Sequence, residues 1–284
     1  MTQPADTTID LADGAEAVRL VVDDYRTSGD DVLNLGMLTD EELFAYTRDL
    51  EEAAPFGLWF GRLEEVEQQA AALGAVRARA VRGEIGADLG LAEVPVEIAE
   101  DGTGTVSLET PVVAGITLRR NAIQLSLRVM GAIGETWYLL RHVEDDIWLR
   151  ETVTTQGFHL LALVRLGAEE RAVYMSRLQL PDGARERTAP AVSASFTEQE
   201  LSDAAGTGGL NFLQDTYVIG NLTTLSRESG EPRARMINVL HDGSLVAGDV
   251  GGGRVTYRGT TVADLESDWD EWVATVAQTD DDGS

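Results

Sequence analysis

Up to about residue 83 the apolar positions recur every three or four residues; beyond about Ile98 they recur every two. In the early segment "GAEAVRLVVDDY", Ala15, Val18, Val22 and Tyr25 fall near one helical face. The stretch "LTDEELFAYTRDLEEAA" carries a start signal. Thr39 can cap a helix, and Glu42 stands three residues on, as a capping box requires. Leu43, Tyr46 and Leu50 would line its buried side. A longer helix is predicted from about Leu63 to Val81, stopped by Gly83.

The later pattern predicts strands. "TVSLET", "NAIQLSLRVM", "TWYLLRHV", "IWLRETVT", "HLLALVRL" and "RAVYMSRLQL" are short and rich in strand formers. Short polar or glycine-containing links join them, and short links join antiparallel neighbours. "PDGARERTAPAVSAS" reads as a loop. "SFTEQELSDAAG" predicts a helix with Thr197 as cap, Glu200 completing the box, and Gly206 just past its end. "GTGGLNFLQDTYVIGN" stays open between helix and strand. "YVIGNLTTLSRE", "RARMINVLHDG", "SLVAGDV" and "GRVTYRG" predict a second set of strands. "TTVADLESDWDEWVATVAQ" predicts a closing amphipathic helix with Val262, Leu265, Trp269, Trp272, Val273 and Val276 on one stripe.

The expected fold class is therefore α+β: largely antiparallel meanders, N-terminal helices and a C-terminal amphipathic helix. Two strand sets that each lead into a helix suggest quasi-two-fold halves, alike in element order only. The expected organisation is a disordered 1–12, a first half over 13–192, a second over 193–278, and a disordered tail from 279 to 284.

Charge narrows the classes of function. The 284 residues hold 49 acidic and 22 basic side chains, for a net −27. Such a surface repels phosphate, which argues against nucleic acid as a partner. Every basic residue is arginine, with no lysine. That fits either a GC-rich coding sequence or a salt-loving host in which screened carboxylates maintain solubility. Cysteine is absent, so disulfides and cysteine-based zinc sites are excluded. No apolar run approaches the roughly 20 residues a membrane span needs. The opening "MTQPADTTIDLADG" has no basic start and no apolar segment, so it is not read as a secretory signal. The expected location is cytoplasmic.

The most decorated stretch is "WYLLRHVEDDIWLRE", Trp137–Glu151. As a hairpin it puts Trp137, Leu139, Arg141 and Val143 on one face and Tyr138, Leu140 and His142 on the other, with Glu144, Asp145 and Asp146 in the turn. Turn chemistry and sheet packing explain these residues without catalysis. A metal site would need His142 with Asp145, Asp146 or His159. No paired-histidine spacing supports one among the three histidines, and His159 and His241 read as structural. No nucleophile elbow is present. The "GDVGGGRV" run lacks the lysine of a phosphate loop and reads as a hairpin turn. No cofactor, metal or catalytic residue is expected.

The order of "LTDEELFAYTRDLEEAAPFGLWF", "RLEEVEQQAAALGAVRARAVRG", the β-rich region from "LRRNAIQLSLRVMG", and "INVLHDGSLVAG…GRVTYRGTTVADLESDWDEWV" resembles the EspG-type proteins associated with ESX (type VII) secretion in actinobacteria. The resemblance spans most of residues 35–278 and rests on pattern. It implies a non-enzymatic cytosolic chaperone with a central sheet in quasi-two-fold halves, binding the apolar tip of a helical secretion substrate. An apolar patch inside a polar rim would suit that task. Leu210, Phe212 and Leu213 in "GGLNFL" are the candidate partner-binding residues, against a reading as short-helix core.

Two other classes remain. One is an enzyme or ligand-binding α+β protein with a cleft near Arg141, His142 or His159. The other is a winged-helix-like interaction module built from "LEEVEQQAAALGAVRARAVRG" and "VPVEIAEDGTGTVSLET". Between Glu51 and Glu109 that region has 12 acids and 4 arginines, which argues against direct DNA contact.

Overall fold

The computed structural model describes residues 11–47, 62–72, 74–75, 78, 96–98, 104–106, 108–132, 134–225 and 232–277. Helix α1 (Leu11–Ser28) leads into strand β1 (Val32–Thr39) and helix α2 (Asp40–Thr47). The expected capping box is present: Thr39 Oγ1 accepts from the Glu42 backbone N–H, and the Thr39 N–H donates to the Glu42 carboxylate. Residues 65–72 are helical, inside the helix expected from Leu63 to Val81. The rest of that helix, Leu50, residues 1–10 and the 279–284 tail lie outside the described residues. Leu11 and Ala12, expected to be disordered, belong to α1.

Strands β2 (Val96–Ile98) and β3 (Gly104–Val106) pair antiparallel as a separate small sheet. Helix α3 (Thr110–Leu118) follows, where a strand was expected to run to residue 110 and no helix was expected after it. Its sequence "TPVVAGITL" is apolar on every side and rich in β-branched residues, so it shows no helical stripe. Pro111 nevertheless suits a helix's first turn. Val112, Ala114, Ile116 and Leu118 are all buried.

Strands β4 (Ile123–Gly131), β5 (Gly134–Glu144), β6 (Ile147–Val153) and β7 (Phe158–Arg165) match the expected runs. The next run, "RAVYMSRLQL", was expected to be a strand and is helix α4 (Ala168–Arg177). Glu169 and Glu170 favour the positive end of a helix, and Arg177 favours the other end. Glu170, Tyr174, Met175 and Leu178 are buried together, which helical spacing allows and strand alternation does not.

Strand β8 (Ser193–Thr197) runs into helix α5 (Glu198–Thr207) through the Thr197–Glu200 capping box. Gly206 was expected to end α5 and instead lies inside it. Gly208 closes the helix in the left-handed region, at φ 79°. A short 3₁₀ turn at Asn211–Leu213 precedes β9 (Thr216–Leu225), β10 (Pro232–Leu240), β11 (Leu245–Gly251) and β12 (Arg254–Thr260). Helix α6 (Val262–Ala277) closes the described chain. Thr261 and Asp264 cap it reciprocally.

Ten strands form one sheet in the order β1-β7-β6-β5-β4-β9-β10-β11-β12-β8. Read inward from either edge, the order is the same: a lead strand, then the four strands of a meander in reverse. The series strand, helix, four strands, helix therefore occurs twice, as β1–α2 with β4 to β7 and α4, and as β8–α5 with β9 to β12 and α6. The two strand-to-helix junctions also read alike, "LTDEEL" at 38–43 and "FTEQEL" at 196–201.

The chain forms two compact units. Unit one is residues 1–122 with 151–163; unit two is 123–150 with 164–284. In unit one, Leu35, Leu38, Leu43, Tyr46, Ile116 and Leu161 are buried. Gly115 is what lets α3 approach closely. A Cβ there would lie 2.9 Å from Leu161 Cδ1 and 3.4 Å from Leu35 Cβ. In unit two, Leu125, Leu127, Tyr138, Leu140, Ile237, Ala247 and Trp269 are buried.

The corrected end of α5 is testable. At Gly206 an added Cβ meets nothing within 4 Å. Gly206→Ala should raise unfolding free energy by about 0.5–1 kcal/mol. Gly208→Ala, forced to keep φ 79°, should lower it by about 1 kcal/mol. Urea denaturation of both variants checks the pair.

Candidate functional site

Side chains directly opposite one another in a sheet share a face. One row across unit two reads Trp137, Arg128, Asn221, Met236, Gly248, Tyr257, Ala194. Beside it runs Leu139, Ser126, Thr223, Ala234, Val250, Val255, Phe196. On the far side lie Met130, opposite Glu135 and Ile219. On β4, β9 and β10 these rows stay half-exposed: Ser126, Arg128, Met130, Ile219, Asn221, Thr223, Ala234 and Met236. Trp137 is half-exposed as well, and Val250 is 46% exposed.

Over β4, β5 and the middle of β10 and β11 the opposite face is covered, while Thr256 and Arg258 of β12 on that side are exposed. Leu125, Leu127, Val129, Tyr138, Leu140, Ile237 and Ala247 are buried on it. Helix α4 lies against this face: Tyr138 meets Tyr174 edge-on at 6.0 Å and donates from its hydroxyl to Glu170 at 2.6 Å. Arg150 donates to the other Glu170 oxygen at 2.7 Å. Burial, followed by the Glu170 charge and hydrogen bond, pushes the Tyr138 hydroxyl well above the usual tyrosine range. Tyr138 thus stays a neutral donor. From Tyr174 an aromatic seam continues through Trp269 and Trp272 to Trp148 and His142, at centroid spacings of 4.8, 5.5, 5.7 and 5.1 Å.

On the half-exposed face one carboxylate organises two large side chains. Glu135 accepts from Trp137 Nε1 at 2.8 Å and from Arg128 Nη2 at 2.7 Å. The Arg128 guanidinium lies 5.4 Å from the centre of the Trp137 ring. An indole and a guanidinium are therefore held in place on a partly open surface, with Met130, Met236 and Ile219 nearby on the same face.

The candidate residues Leu210, Phe212 and Leu213 are each half-buried, and Phe212 meets Tyr257 edge-on at 5.3 Å. Tyr257 stands in the row that contains Trp137, so this turn adjoins one end of that face.

The Trp137–Glu151 hairpin turns at Asp145, which adopts φ 46°. His142 Nε2 lies 3.0 Å from the Asp145 carbonyl, and Arg165 donates to Asp146 at 3.0 Å. These contacts are structural. Beside the turn, Asp145, Asp146, Trp148, Arg165, Val273 and Val276 help line a hollow of about 370 Å³. Arg141 is buried, and His241 stacks on Tyr217 at 4.9 Å. Gly252 and Gly253, both at positive φ, form the β11–β12 hairpin turn, as expected of "GDVGGGRV".

Unit one holds a cluster of buried charge. His159 is fully buried on β7, between Asp40 at the start of α2 and Glu151 on β6. Its Nε2 lies 2.7 Å from Asp40 Oδ1 and its Nδ1 2.6 Å from Glu151 Oε1. Arg119, just past the end of α3, donates from Nε to the same Glu151 oxygen at 2.9 Å. Burial alone would discharge His159, but the two carboxylate hydrogen bonds outweigh it and raise its pKa above the usual histidine value. Sequence reasoning missed Asp40, Arg119 and Glu151 as a group. The one available signal was a histidine at a strand position between apolar neighbours, Phe158 and Leu160; its partners carried none. Among the described residues, no group of three metal-ligating side chains is placed to hold an ion.

Scanned against protein-family models the chain matches none, and no curated protein matches its sequence.

The quartet predicts a large mutational cost. Glu151→Ala leaves Arg119 and His159 buried without their shared acceptor, so it should lower unfolding free energy by about 3–5 kcal/mol. Chemical denaturation at neutral pH measures this.

Proposed function

We propose that this chain is a non-enzymatic protein-binding chaperone that holds a helical secretion substrate against the half-exposed face of β4, β5, β9 and β10. The observation that carries the reading is that face: Trp137, Met130, Ile219 and Met236 are partly open to solvent on it, with Val250 of the adjoining β11, while Leu125, Leu127, Tyr138 and Ile237 are buried on the other side. Tryptophan and arginine dominate binding energy at protein interfaces, and the Arg128–Glu135–Trp137 arrangement orders both before a partner arrives. Methionine adapts to irregular apolar surfaces, which suits a helix tip. Leu210, Phe212 and Leu213 extend the patch at its Tyr257 end.

The resemblance to EspG-type proteins supports the same reading, with a cytosolic location and a type VII substrate. The large negative charge favours solubility of a protein with an open apolar face. No helix among the described residues is long and apolar enough to cross a membrane. The enzyme reading gains no specific support from the titratable groups around His159, which are sealed from solvent.

Capture from the native host with tagged wild-type chain, beside a Trp137→Ala, Met236→Ala double variant, tests the proposal. The wild type should retain a helical secreted protein in stoichiometric amount. The variant should retain at least ~10-fold less with an unchanged circular dichroism spectrum. Equal capture by both proteins would reject this face as the binding site. Catalytic turnover in a broad substrate screen, without any stoichiometric partner, would reject the chaperone reading.

A further inference from the structure

We propose that a proton held between His159, Asp40 and Glu151 latches the start of α2 to the β6–β7 hairpin, and that the latch opens as the medium becomes alkaline. Both ring nitrogens of His159 face carboxylate oxygens, at 2.7 and 2.6 Å. Each such contact needs a hydrogen between nitrogen and oxygen. A neutral imidazole supplies only one. The pair of contacts therefore requires one proton more than a neutral histidine between two carboxylates can provide. Glu151 also accepts from Arg119, and both carboxylate contacts favour the charged ring, so the extra proton is assigned to the ring. With His159 as imidazolium, Asp40, His159, Glu151 and Arg119 alternate in sign and sum to zero, the condition under which buried charges are tolerated.

Among the described residues, the charged groups that act on His159 come from three elements. They are Asp40 from α2, Glu151 from β6, and Arg119 from the end of α3. Strand β1, next to β7 in the sheet, carries no titratable side chain along Val32–Thr39. The element held by the proton is specific. Asp40 is the first residue of α2, and its backbone N–H donates to the Gly157 carbonyl in the β6–β7 turn at 3.1 Å. A Cβ at Gly157 would lie 2.7 Å from Asp40 Oδ2, so the carboxylate is pressed against the turn. Two ties thus join α2 to the hairpin, one through backbone and one through the proton.

Loss of that proton sets a ring lone pair against a carboxylate and leaves a net negative charge buried. The His159 pKa is raised above its ordinary 6.5, so the stabilisation is fully present below that value. It is lost as pH rises through the raised value. The effect is thus an alkaline loosening of α2 that needs no partner and does not depend on the binding face.

Nitrogen-15 NMR of histidine-labelled full-length protein tests the proton directly. Both His159 ring nitrogens should be protonated at pH 7, and one should lose its proton at alkaline pH. Across that transition, hydrogen exchange at the amides of residues 41–47, corrected for intrinsic base catalysis, should accelerate at least ~10-fold. Amides of β9 and β10 in unit two should not follow. His159→Gln should abolish the pH dependence at α2; if that variant does not fold, the two wild-type measurements still decide. A singly protonated ring at pH 7, or unchanged α2 protection through the titration, would overturn the latch.

Discussion

A β-strand sends successive side chains to opposite sides, and along β4 in unit two that alternation separates buried from half-exposed side chains. Leu127 and Tyr138 face α4, while Arg128 and Trp137, one position away on the same strands, face the other side. A one-residue slip of β4 against β5 would exchange the two sets. The register therefore decides both what holds this unit together and what it can present to a partner. The buried Tyr138–Glu170–Arg150 contacts help hold the register, because a slip would strand a buried carboxylate.

Unit one meets a different constraint. Its buried side chains include three acids, an arginine and a histidine, and none can leave water alone. The arrangement around His159 offsets that cost by alternating charge, and it ties the β6–β7 hairpin to two elements that lie well before it in the chain. Asp40 and His159 are separated by 119 positions, Arg119 and Glu151 by 32. Replacing the set with apolar residues of matched volume could leave stability unchanged; removing one member cannot, because its neighbours remain buried. The proton on His159 makes this arrangement specific and also sensitive to pH.

Element order repeats across the chain, and the sheet shows why. Each lead strand, β1 and β8, pairs beside the last strand of its own meander, so each half is a four-stranded meander edged by the strand that precedes it. Both lead strands end in a threonine that caps the next helix and a glutamate that completes the box. The match between "LTDEEL" and "FTEQEL" was visible in the sequence. Its meaning, equivalent corners of two halves, depended on strand order.

Local chemistry was legible wherever it acts within a few residues. The capping boxes at Thr39 and Thr197, the Asp145–Asp146 turn, the Gly252–Gly253 hairpin and the stripe of α6 could all be read from spacing alone. Two helices could not. In α3 uniform burial erases the stripe that marks a helix, and in α4 alternating apolar residues mimic a strand until Glu170 and Tyr174 find Tyr138. The open face was legible only in part. Alternation divided Trp137 from Tyr138, but which side would be covered depended on where α4 and α6 came to rest. The His159 cluster was illegible, because a buried charge is tolerated only through partners that the chain must fold to bring together. Sequence by itself determined what each short segment would do with its own backbone; tertiary structure decided which surfaces water would reach and which charges would meet.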